Sequence, residues 1–253
     1  MKWPQKHNVL GVGISAITYD DALAFVTRAA ISRKSACMTH LAVHGLIEGS
    51  RNAHYRRVIN DFDIVAPDGQ PVRYALSFLH NVVLHDRCYG PEFMIRLCKR
   101  SEEENIAIYL YGSEPHVVQS LSEKLIARFQ KLKIVGWEPS IFRPLTQAED
   151  EELVHRVNDS GAGIVFIGLG CPLQEQFALD HKGRMKAVKI CVGAAFDFHA
   201  GNKKMAPVWM QRNSLEWFYR LLQEPRRLWK RYLVTNSIFL VHLLLQASGL
   251  KRF

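Results

Sequence analysis

Acidic and polar side chains follow several short apolar runs of this sequence, where chemistry is expected if the runs are parallel strands. Asp68 comes directly after the run Ile64–Ala66, in an Ala-Pro-Asp-Gly-Gln segment. Ligands of open α/β sheets bind beyond the carboxyl ends of the strands, and a carboxylate there can act as a general base on a hydroxyl. Pro-Asp-Gly is also turn chemistry, so Asp68 could instead cap the predicted helix Gln70–Leu79. The pattern leaves both interpretations open.

Two glycines, Gly168 and Gly170, follow the apolar run Ile164–Ile167, and a predicted helix begins near Pro172. Free backbone N–H groups at a helix start bind anions, and glycines let a ligand approach the backbone closely. Gln174, in the first turn, can hydrogen-bond a base, a ribose or a phosphate. The same residues also fit a tight strand-to-helix turn with no ligand.

Asp197 and Arg87 are two further candidates near predicted strand or helix ends. Asp197 stands between two phenylalanines after the run Val188–Val192, where it can bond a ligand or cap a turn. Arg87 precedes the predicted helix Glu92–Arg100, which a Gly-Pro pair introduces. Its guanidinium is either a solvated surface charge or a phosphate ligand.

Two short motifs carry less information. Asp61 and Asp63 form a D-x-D, a pair that can hold a divalent metal, but no further ligands adjoin them, so a helix end followed by a strand start is favoured. The residues from Gly11 to Ala16 fit G-x-G-x-x-A. The helix caps come too late, and no acidic residue follows about 20 positions on, so a dinucleotide site is disfavoured.

Composition and periodicity indicate an α/β protein with most of its positive charge at one end. Apolar runs alternate with helical patterns, which predicts a largely parallel sheet with helices on both faces. Residues 203–253 hold ten Lys/Arg and two Glu, so +8 of the +9 net charge lies there. We therefore predict a domain at 1–202 and a basic helical appendage at 203–253. The five cysteines include no C-x-x-C pair, which indicates buried thiols in a reducing compartment.

The strands and helices that must position these candidates can be read from the sequence. The predicted strands are Val9–Ile14, Ala36–Leu41, Ile64–Ala66, Ile106–Tyr111, Lys133–Val135, Ile164–Ile167 and Val188–Val192. Besides the helices already named, the predicted ones run from Asp20-Asp21 to about Ser32, from Glu114-Pro115 to about Gln130, and from Gln147 to Asn158.

The appendage has the pattern of an amphipathic helix that lies on a membrane. On one continuous helix, Arg220, Arg227 and Arg231 would share a stripe opposite Leu222, Trp229, Tyr232 and Leu233. A basic helix with Trp and Tyr is typical of membrane surfaces, although a core-packing helix with a solvated basic face also fits. Polar residues interrupt the apolar stretch Val234–Leu250, so it is predicted not to span a bilayer.

Taken together, these segments resemble the WecG/TagA/CpsF family of glycosyltransferases (glycosyltransferase family 26), from about Gly11 to Tyr232. The matching pieces lie at 63–72, 168–175, 193–198, 206–212 and 215–229. The resemblance implies a Rossmann-like fold and inverting, metal-independent transfer without a cofactor. It implies UDP-sugar donors with N-acetylmannosamine, its uronic acid or glucose, and polyprenyl-diphosphate-linked acceptors of cell-surface polysaccharide. The expected location is the cytoplasmic face of the plasma membrane, as a peripheral protein.

The resemblance also implies a role for each matching residue. Asp68 falls at the catalytic base and Arg87 at an active-site arginine. Residues at the donor pocket are Thr39, Gly168, Gly170, Gln174 and Asp197. Arg220 and Arg227 lie in the appendage, which supplies basic groups near the diphosphate. Where the family commonly has Thr-x-Asn, this chain has Leu41 in place of the Asn, which affects donor or acceptor choice.

Two other functions stay open at this point. A non-catalytic membrane-surface protein with an α/β body would show the same charge distribution. A nucleic-acid binder is disfavoured, because no recognised module is present and the aromatic residues lie opposite the basic stripe. A homo-oligomer is compatible with the sequence.

Overall fold

A six-stranded parallel sheet forms the centre of the protein, as the alternation of strands and helices predicted. The computed structural model describes residues 2–253, apart from the side chains of Arg227 and Arg231. Numbered along the chain, the described strands are β1 (Lys6–Val9), β2 (Val12–Ser15), β3 (Ala36–Leu41), β4 (Ile64–Pro67), β5 (Ile108–Gly112), β6 (Ile134–Glu138), β7 (Ile164–Gly168) and β8 (Val188–Cys191). The large sheet has the order β4-β3-β8-β7-β5-β6, and every neighbouring pair is parallel.

Helices cover both faces of this sheet. The described helices are α1 (Tyr19–Ile31), α2 (Val43–Arg51), α3 (Ala53–Asn60), α4 (Gln70–His80), α5 (Gly90–Glu103), α6 (Pro115–Arg128), α7 (Gln147–Asp159), α8 (Leu173–Asp180), α9 (Ala195–Ala200), α10 (Val208–Arg212), α11 (Glu216–Gln223) and α12 (Pro225–Ala247). Alternate residues of β7 enter opposite cores. Phe166 belongs to the core that residues of α1, α5, α6 and α9 help to form, whereas Val165 belongs to the core shared by α2, α3, α4, α7, α8 and α12. Three helices, α2, α3 and α9, were not anticipated from the sequence.

The predicted strand Val9–Ile14 is wrong, because the chain turns back in its middle. Residues 6–15 form the antiparallel hairpin β1–β2, and its two-residue turn is Leu10-Gly11, with φ of 53° and 87°. Two successive positive φ angles are the geometry of a tight hairpin turn, which accounts for a glycine at this position. The Gly11–Ala16 segment is therefore not a dinucleotide-binding turn.

The start of α1 also differs from the prediction. Thr18, and not Asp20 or Asp21, is the N-cap, and its hydroxyl accepts a hydrogen bond from the Asp21 backbone N–H. The Asp21 carboxylate in turn accepts from the Thr18 backbone N–H at 3.4 Å, which completes a capping box. Glu114 and Pro115 open α6 as predicted.

The appendage is not one continuous helix with a single basic stripe. The chain breaks at Glu224, which ends α11 and precedes Pro225 at the start of α12, so the helical phase is reset there. Leu228, Thr235 and Phe239 form the buried face of α12, which packs against α2 and α4.

No helix of the described residues has the length and apolar character needed to cross a membrane. The division into domains at residue 202 stays a prediction.

The far end of α12 is tied to the first hairpin by side-chain bonds. The Gln246 Oε1 accepts from the Leu10 backbone N–H at 2.8 Å, and its Nε2 donates to the Asn8 carbonyl at 3.0 Å. Residues near the two ends of the chain are thus in direct contact. The second half of α12 therefore belongs to the body of the protein as much as to the appendage.

Candidate active site

The carboxyl ends of five strands of the large sheet open into one cavity of about 490 Å³. The chain that leaves each strand contributes to its wall, as expected for a parallel α/β sheet. Of the residues predicted from the sequence, the cavity is lined by Asp68 after β4, Gly168 and Gly170 at the end of β7, Gln174 on α8, Asp197 on α9 and Arg220 on α11. Six of the nine predicted residues, which lie far apart along the chain, therefore meet here.

Asp68 is a half-buried carboxylate directly after the carboxyl end of β4. The N-cap of α4 is Gly69, and no side chain caps that helix, so the capping interpretation of Asp68 is wrong. Instead, its Oδ1 accepts a hydrogen bond from the Gly90 backbone N–H at 3.1 Å. Burial raises the pKa of Asp68 to about 6, an effect that Arg87 opposes and Glu216 reinforces. A carboxylate with this pKa can accept a proton from a hydroxyl near neutral pH.

Arg87 lies beside Asp68 and is held by a residue of the appendage. Its Nη2 donates to Oε2 of Glu216 at 2.6 Å, and its guanidinium lies over the Tyr89 ring at 4.1 Å. The Tyr89 hydroxyl donates to the other oxygen of Glu216 at 3.0 Å. Arg87 is only 8% exposed, so it is not a solvated surface charge. Glu216, which lines the cavity, thus connects α11 to two residues next to Asp68.

Thr39 reaches the site through other residues, since it is not among those that line the cavity. Its buried hydroxyl donates to Oε1 of Glu175 at 2.8 Å, and Nε2 of Gln174 donates to the same oxygen at 2.9 Å. Burial raises the pKa of Glu175, although these two hydrogen bonds oppose the shift. Thr39 and Glu175 therefore fix the orientation of Gln174, whose Oε1 has no hydrogen-bond partner among the described atoms.

Neither Gly168, the last residue of β7, nor Gly170 can be replaced by a larger residue without strain. A Cβ on Gly168 would lie 2.6 Å from the Phe196 ring, and Gly170 has a φ of +78°. Both observations require glycine, because contacts below 3.0 Å do not occur and a positive φ strains other residues. Across this part of the cavity, Asp197 accepts from Nδ2 of Asn202 at 2.6 Å.

His40 also lines the cavity, although no sequence pattern indicated it. Burial lowers the pKa of His40 to about 4, so the ring is neutral at physiological pH. Its Nδ1 lies 3.2 Å from the Cys191 carbonyl, an acceptor only, so Nδ1 carries the proton. Leu41 and His44 line the same wall, so the position that departs from the family's Thr-x-Asn pattern does face the cavity.

The Asp61/Asp63 pair lies away from the cavity. Asp61 is the C-cap of α3, and Asp63 precedes β4 at its amino end, opposite Asp68. Oδ2 of Asp63 accepts from the Cys37 backbone N–H at 2.9 Å and pairs with Lys182 at 3.1 Å. These partners occupy the carboxylate that a metal would need. Among the described residues, no group of three or more His, Cys, Asp or Glu is placed to hold a metal ion.

Arg220 and Arg227 are the two predicted arginines of the appendage. Arg220 on α11 lines the cavity, and its positive charge opposes the rise in the pKa of Asp68. Arg227 lies on α12, but its side chain is outside the described part, so its predicted role at the diphosphate stays a prediction. Sequence reasoning missed Glu216 and Glu175. Glu216 lies in the matching piece 215–229, but its partners Arg87 and Tyr89 are more than 120 positions away in the sequence.

Comparison with known proteins agrees with this site. Residues 7–252 match the model of the glycosyl transferase WecG/TagA/CpsF family. A relative from Bacillus subtilis strain 168 is 33% identical over 184 residues, which is 72% of this chain and 69% of the relative. A second, from Bacillus spizizenii strain W23, is 31% identical over 189 residues, or 74% of this chain and 70% of the relative. Both are named N-acetylglucosaminyldiphosphoundecaprenol N-acetyl-beta-D-mannosaminyltransferase.

These matches show an enzyme and not a binding protein without catalysis. The matched region contains every residue that lines the cavity, from His40 to Arg220. This chain therefore belongs to the WecG/TagA/CpsF family of glycosyltransferases.

Proposed function

We propose that this enzyme transfers N-acetylmannosamine, or a closely related sugar, from a UDP-sugar to a polyprenyl-diphosphate-linked acceptor. The observation that carries the proposal is the Asp68 carboxylate, half-buried at the end of β4 with its pKa raised to about 6. The acceptor and the sugar are those in the names of the two Bacillus relatives.

The residues of the cavity supply the parts that an inverting transfer needs. The acceptor hydroxyl gives its proton to Asp68 while its oxygen attacks the anomeric carbon of the donor. The bond from that carbon to the phosphate oxygen breaks, and UDP leaves with the electron pair. Asp68 acts as a general base, and the new bond forms on the face opposite the departing diphosphate.

The charge that develops on UDP needs positive or N–H groups nearby. Arg220 faces the cavity, and the glycine loop at Gly168 and Gly170 leads into the N-terminus of α8. Backbone N–H groups at a helix start and a guanidinium both stabilise developing negative charge. We infer that the donor diphosphate lies between these two elements. This arrangement requires no metal ion as a partner of the diphosphate.

The appendage supports the proposal that the enzyme works at a membrane surface, where a polyprenyl carrier resides. Its outer surface carries large apolar side chains that are 42–64% exposed, namely Val208, Trp209, Trp217, Phe218, Leu222, Trp229 and Leu233. Exposed Arg226 and Lys230 adjoin them. Aromatic and basic residues together are typical of a helix that lies on anionic lipid. We propose peripheral binding to the inner face of the plasma membrane.

The test is release of UDP in the presence of acceptor. The purified protein is incubated with N-acetylglucosaminyl diphosphate on a short polyprenyl chain, together with UDP-N-acetylmannosamine, its uronic acid or UDP-glucose in parallel. We expect acceptor-dependent UDP release with one of these donors, N-acetylmannosamine first. Absence of acceptor-dependent release with all three would refute the proposed substrates.

A further inference from the structure

A second cavity of about 330 Å³ lies beside the first. Tyr89 belongs to the walls of both cavities, and Arg87 lines the second while its partner Glu216 lines the first. The Glu216, Arg87 and Tyr89 cluster therefore separates the two spaces. Asp68 lines the first cavity and interacts electrostatically with Arg87 and Tyr19, which line the second, so Asp68 stands at the boundary.

The second cavity combines cations with one buried, incompletely bonded amide. Arg96 pairs with Glu92 at 2.8 Å and lies over the Tyr19 ring, whereas Arg212, the last residue of α10, has no hydrogen bond or ion pair among the described side chains. Gln70 is only 6% exposed, and its Nε2 donates to Asp86 at 3.3 Å. Its Oε1 is buried without a partner among the described atoms.

A buried carbonyl oxygen without a hydrogen-bond partner destabilises a protein. A ligand that donates a hydrogen bond to Gln70 Oε1 would remove this cost. Gln70 follows Asp68 by two positions, at the start of α4. Its Oε1 is an acceptor, and a sugar hydroxyl is a matching donor. A free guanidinium such as that of Arg212 favours phosphate, which it can bind with two parallel hydrogen bonds.

The exposed residues that line this cavity are partly charged, namely Asp86, Glu92, Arg96 and Arg212, and partly apolar. Met205 and Val208 line it and are 41% and 61% exposed, and Trp209, the next residue of α10, is 60% exposed. A ligand that fits the whole cavity thus has a polyhydroxyl part at Gln70, an anionic part at Arg212 and a long apolar part that leaves past Val208. A polyprenyl-diphosphate-linked sugar has these three parts.

We propose that the second cavity is the acceptor subsite, in which Gln70 orients the acceptor sugar and Arg212 binds its diphosphate. The inference rests on the proposed function. It also meets a requirement of inversion, because the acceptor must approach the anomeric carbon from the side opposite UDP. The glycine loop proposed for UDP lines the first cavity, and the second lies across the Arg87–Tyr89 wall. The Glu216 carboxylate holds Arg87 in that wall.

Steady-state kinetics with farnesyl-diphosphate-linked N-acetylglucosamine test the subsite. We expect Arg212→Ala and Gln70→Leu each to raise the KM for this acceptor about tenfold or more, since a lost hydrogen bond to a charged or buried group is worth about that factor. The KM for the UDP-sugar should stay within about twofold. Arg100→Ala, an exposed arginine of α5 that pairs with Glu103 and Glu104, is the matched control and should change neither value. Unchanged acceptor KM in both variants, or an equal rise in donor KM, would overturn the subsite.

A binding experiment separates this inference from the proposed reaction. The same acceptor analogue is titrated into Asp68→Asn protein, with and without Arg212→Ala, by isothermal calorimetry. Binding that Arg212→Ala weakens about tenfold supports the subsite even if no donor is ever turned over. Absence of binding, or equal binding with Arg212 removed, refutes it. Arg212 is exposed, so its variant is expected to fold, and thermal melting checks that Gln70→Leu also does.

Discussion

The Nη2 of Arg87 donates to Oε2 of Glu216 at 2.6 Å, and this pair joins the segment between α4 and α5 to α11. Both side chains are largely buried, with 9% and 13% of their surface exposed. Removal of one partner from such a pair leaves a buried charge uncompensated, which is costly. The position of α11 over the cavity and the charge around Asp68 are therefore coupled.

Asp68→Asn is expected to fold and to lose transfer by about 10²–10⁴-fold, the typical contribution of a general base. Burial raises the pKa of Asp68, so above about pH 6 the folded protein carries a charge that costs stability. The Asn variant should therefore melt at least as high as the parent at pH 8. Turnover and thermal melting are measured beside Asp159→Asn, an exposed carboxylate at the end of α7. Near-parental turnover in the Asp68 variant would contradict the assignment.

The pH profile should report the electrostatic environment of Asp68. The base form exists above its pKa of about 6, so kcat/KM should fall about tenfold per unit as the pH drops below that value. The negative charge of Glu216 raises this pKa, so Glu216→Gln should move the acid limb to lower pH. Glu151→Gln, an exposed change on α7, should leave the limb in place. A limb that does not move in Glu216→Gln would show that this carboxylate does not act on Asp68.

Thr39→Val should lower the free energy of unfolding by about 1–3 kcal/mol, because a buried acceptor loses its donor. The Thr39 hydroxyl donates to Glu175, and the substitution keeps the volume of the side chain. Thr39→Ser retains the hydroxyl and is the matched control in urea unfolding. If Thr39 acts on the donor only by positioning Gln174, the Ser variant should keep the parental KM for the UDP-sugar. Equal stability of the Val variant and the parent would show that the bond contributes nothing.

Transfer is expected to survive chelation. The D-x-D carboxylate Asp63 is bonded to Lys182 and Cys37 at the far end of β4, and cationic Arg220 faces the cavity instead. UDP release is compared after dialysis against EDTA and after addition of magnesium or manganese. Loss of activity in EDTA that either ion restores would contradict this expectation.

Membrane binding is best tested by point substitutions. Cutting the chain after Gln223 would also remove Phe239 and Gln246, which pack on α2 and bond the first hairpin, so the body would be destabilised as well. Trp229 and Leu233 are 56% and 64% exposed on α12, so changing both to Ser should leave the fold intact.

We expect this double variant to float less with anionic vesicles, whereas Ile31→Ser, an exposed apolar change on α1, should float like the parent. Higher salt should weaken binding of the parent, because charge attraction is screened over roughly 8–10 Å at ordinary ionic strength. Turnover on a short-chain acceptor should be retained. Equal flotation of the double variant and the parent would refute the membrane surface.

Local sequence patterns sufficed to predict most strands and the site residues that directly follow them. The strands β3, β4, β7 and β8 were predicted to within one residue, because buried strands form uninterrupted apolar runs. Asp68, Gly168 and Gly170 could be selected because a residue just past a parallel strand lies at the ligand-binding edge wherever that strand sits in the sheet. The hairpin was missed because the run Val9–Ile14, which contains the turn Leu10-Gly11, has the apolar pattern of a single strand.

The residues that complete the site come from distant parts of the chain and are brought together by folding. Glu216 meets Arg87 across 129 positions, and Glu175 meets Thr39 across 136. Such pairs leave no periodic trace in the sequence, because they depend on how helices pack and not on local backbone preference. The pKa of Asp68 likewise follows from burial and from charges that folding brings near it. Packing also determines which apolar residues of α12 are buried and which are exposed, because α2 and α4 cover only one face of this helix.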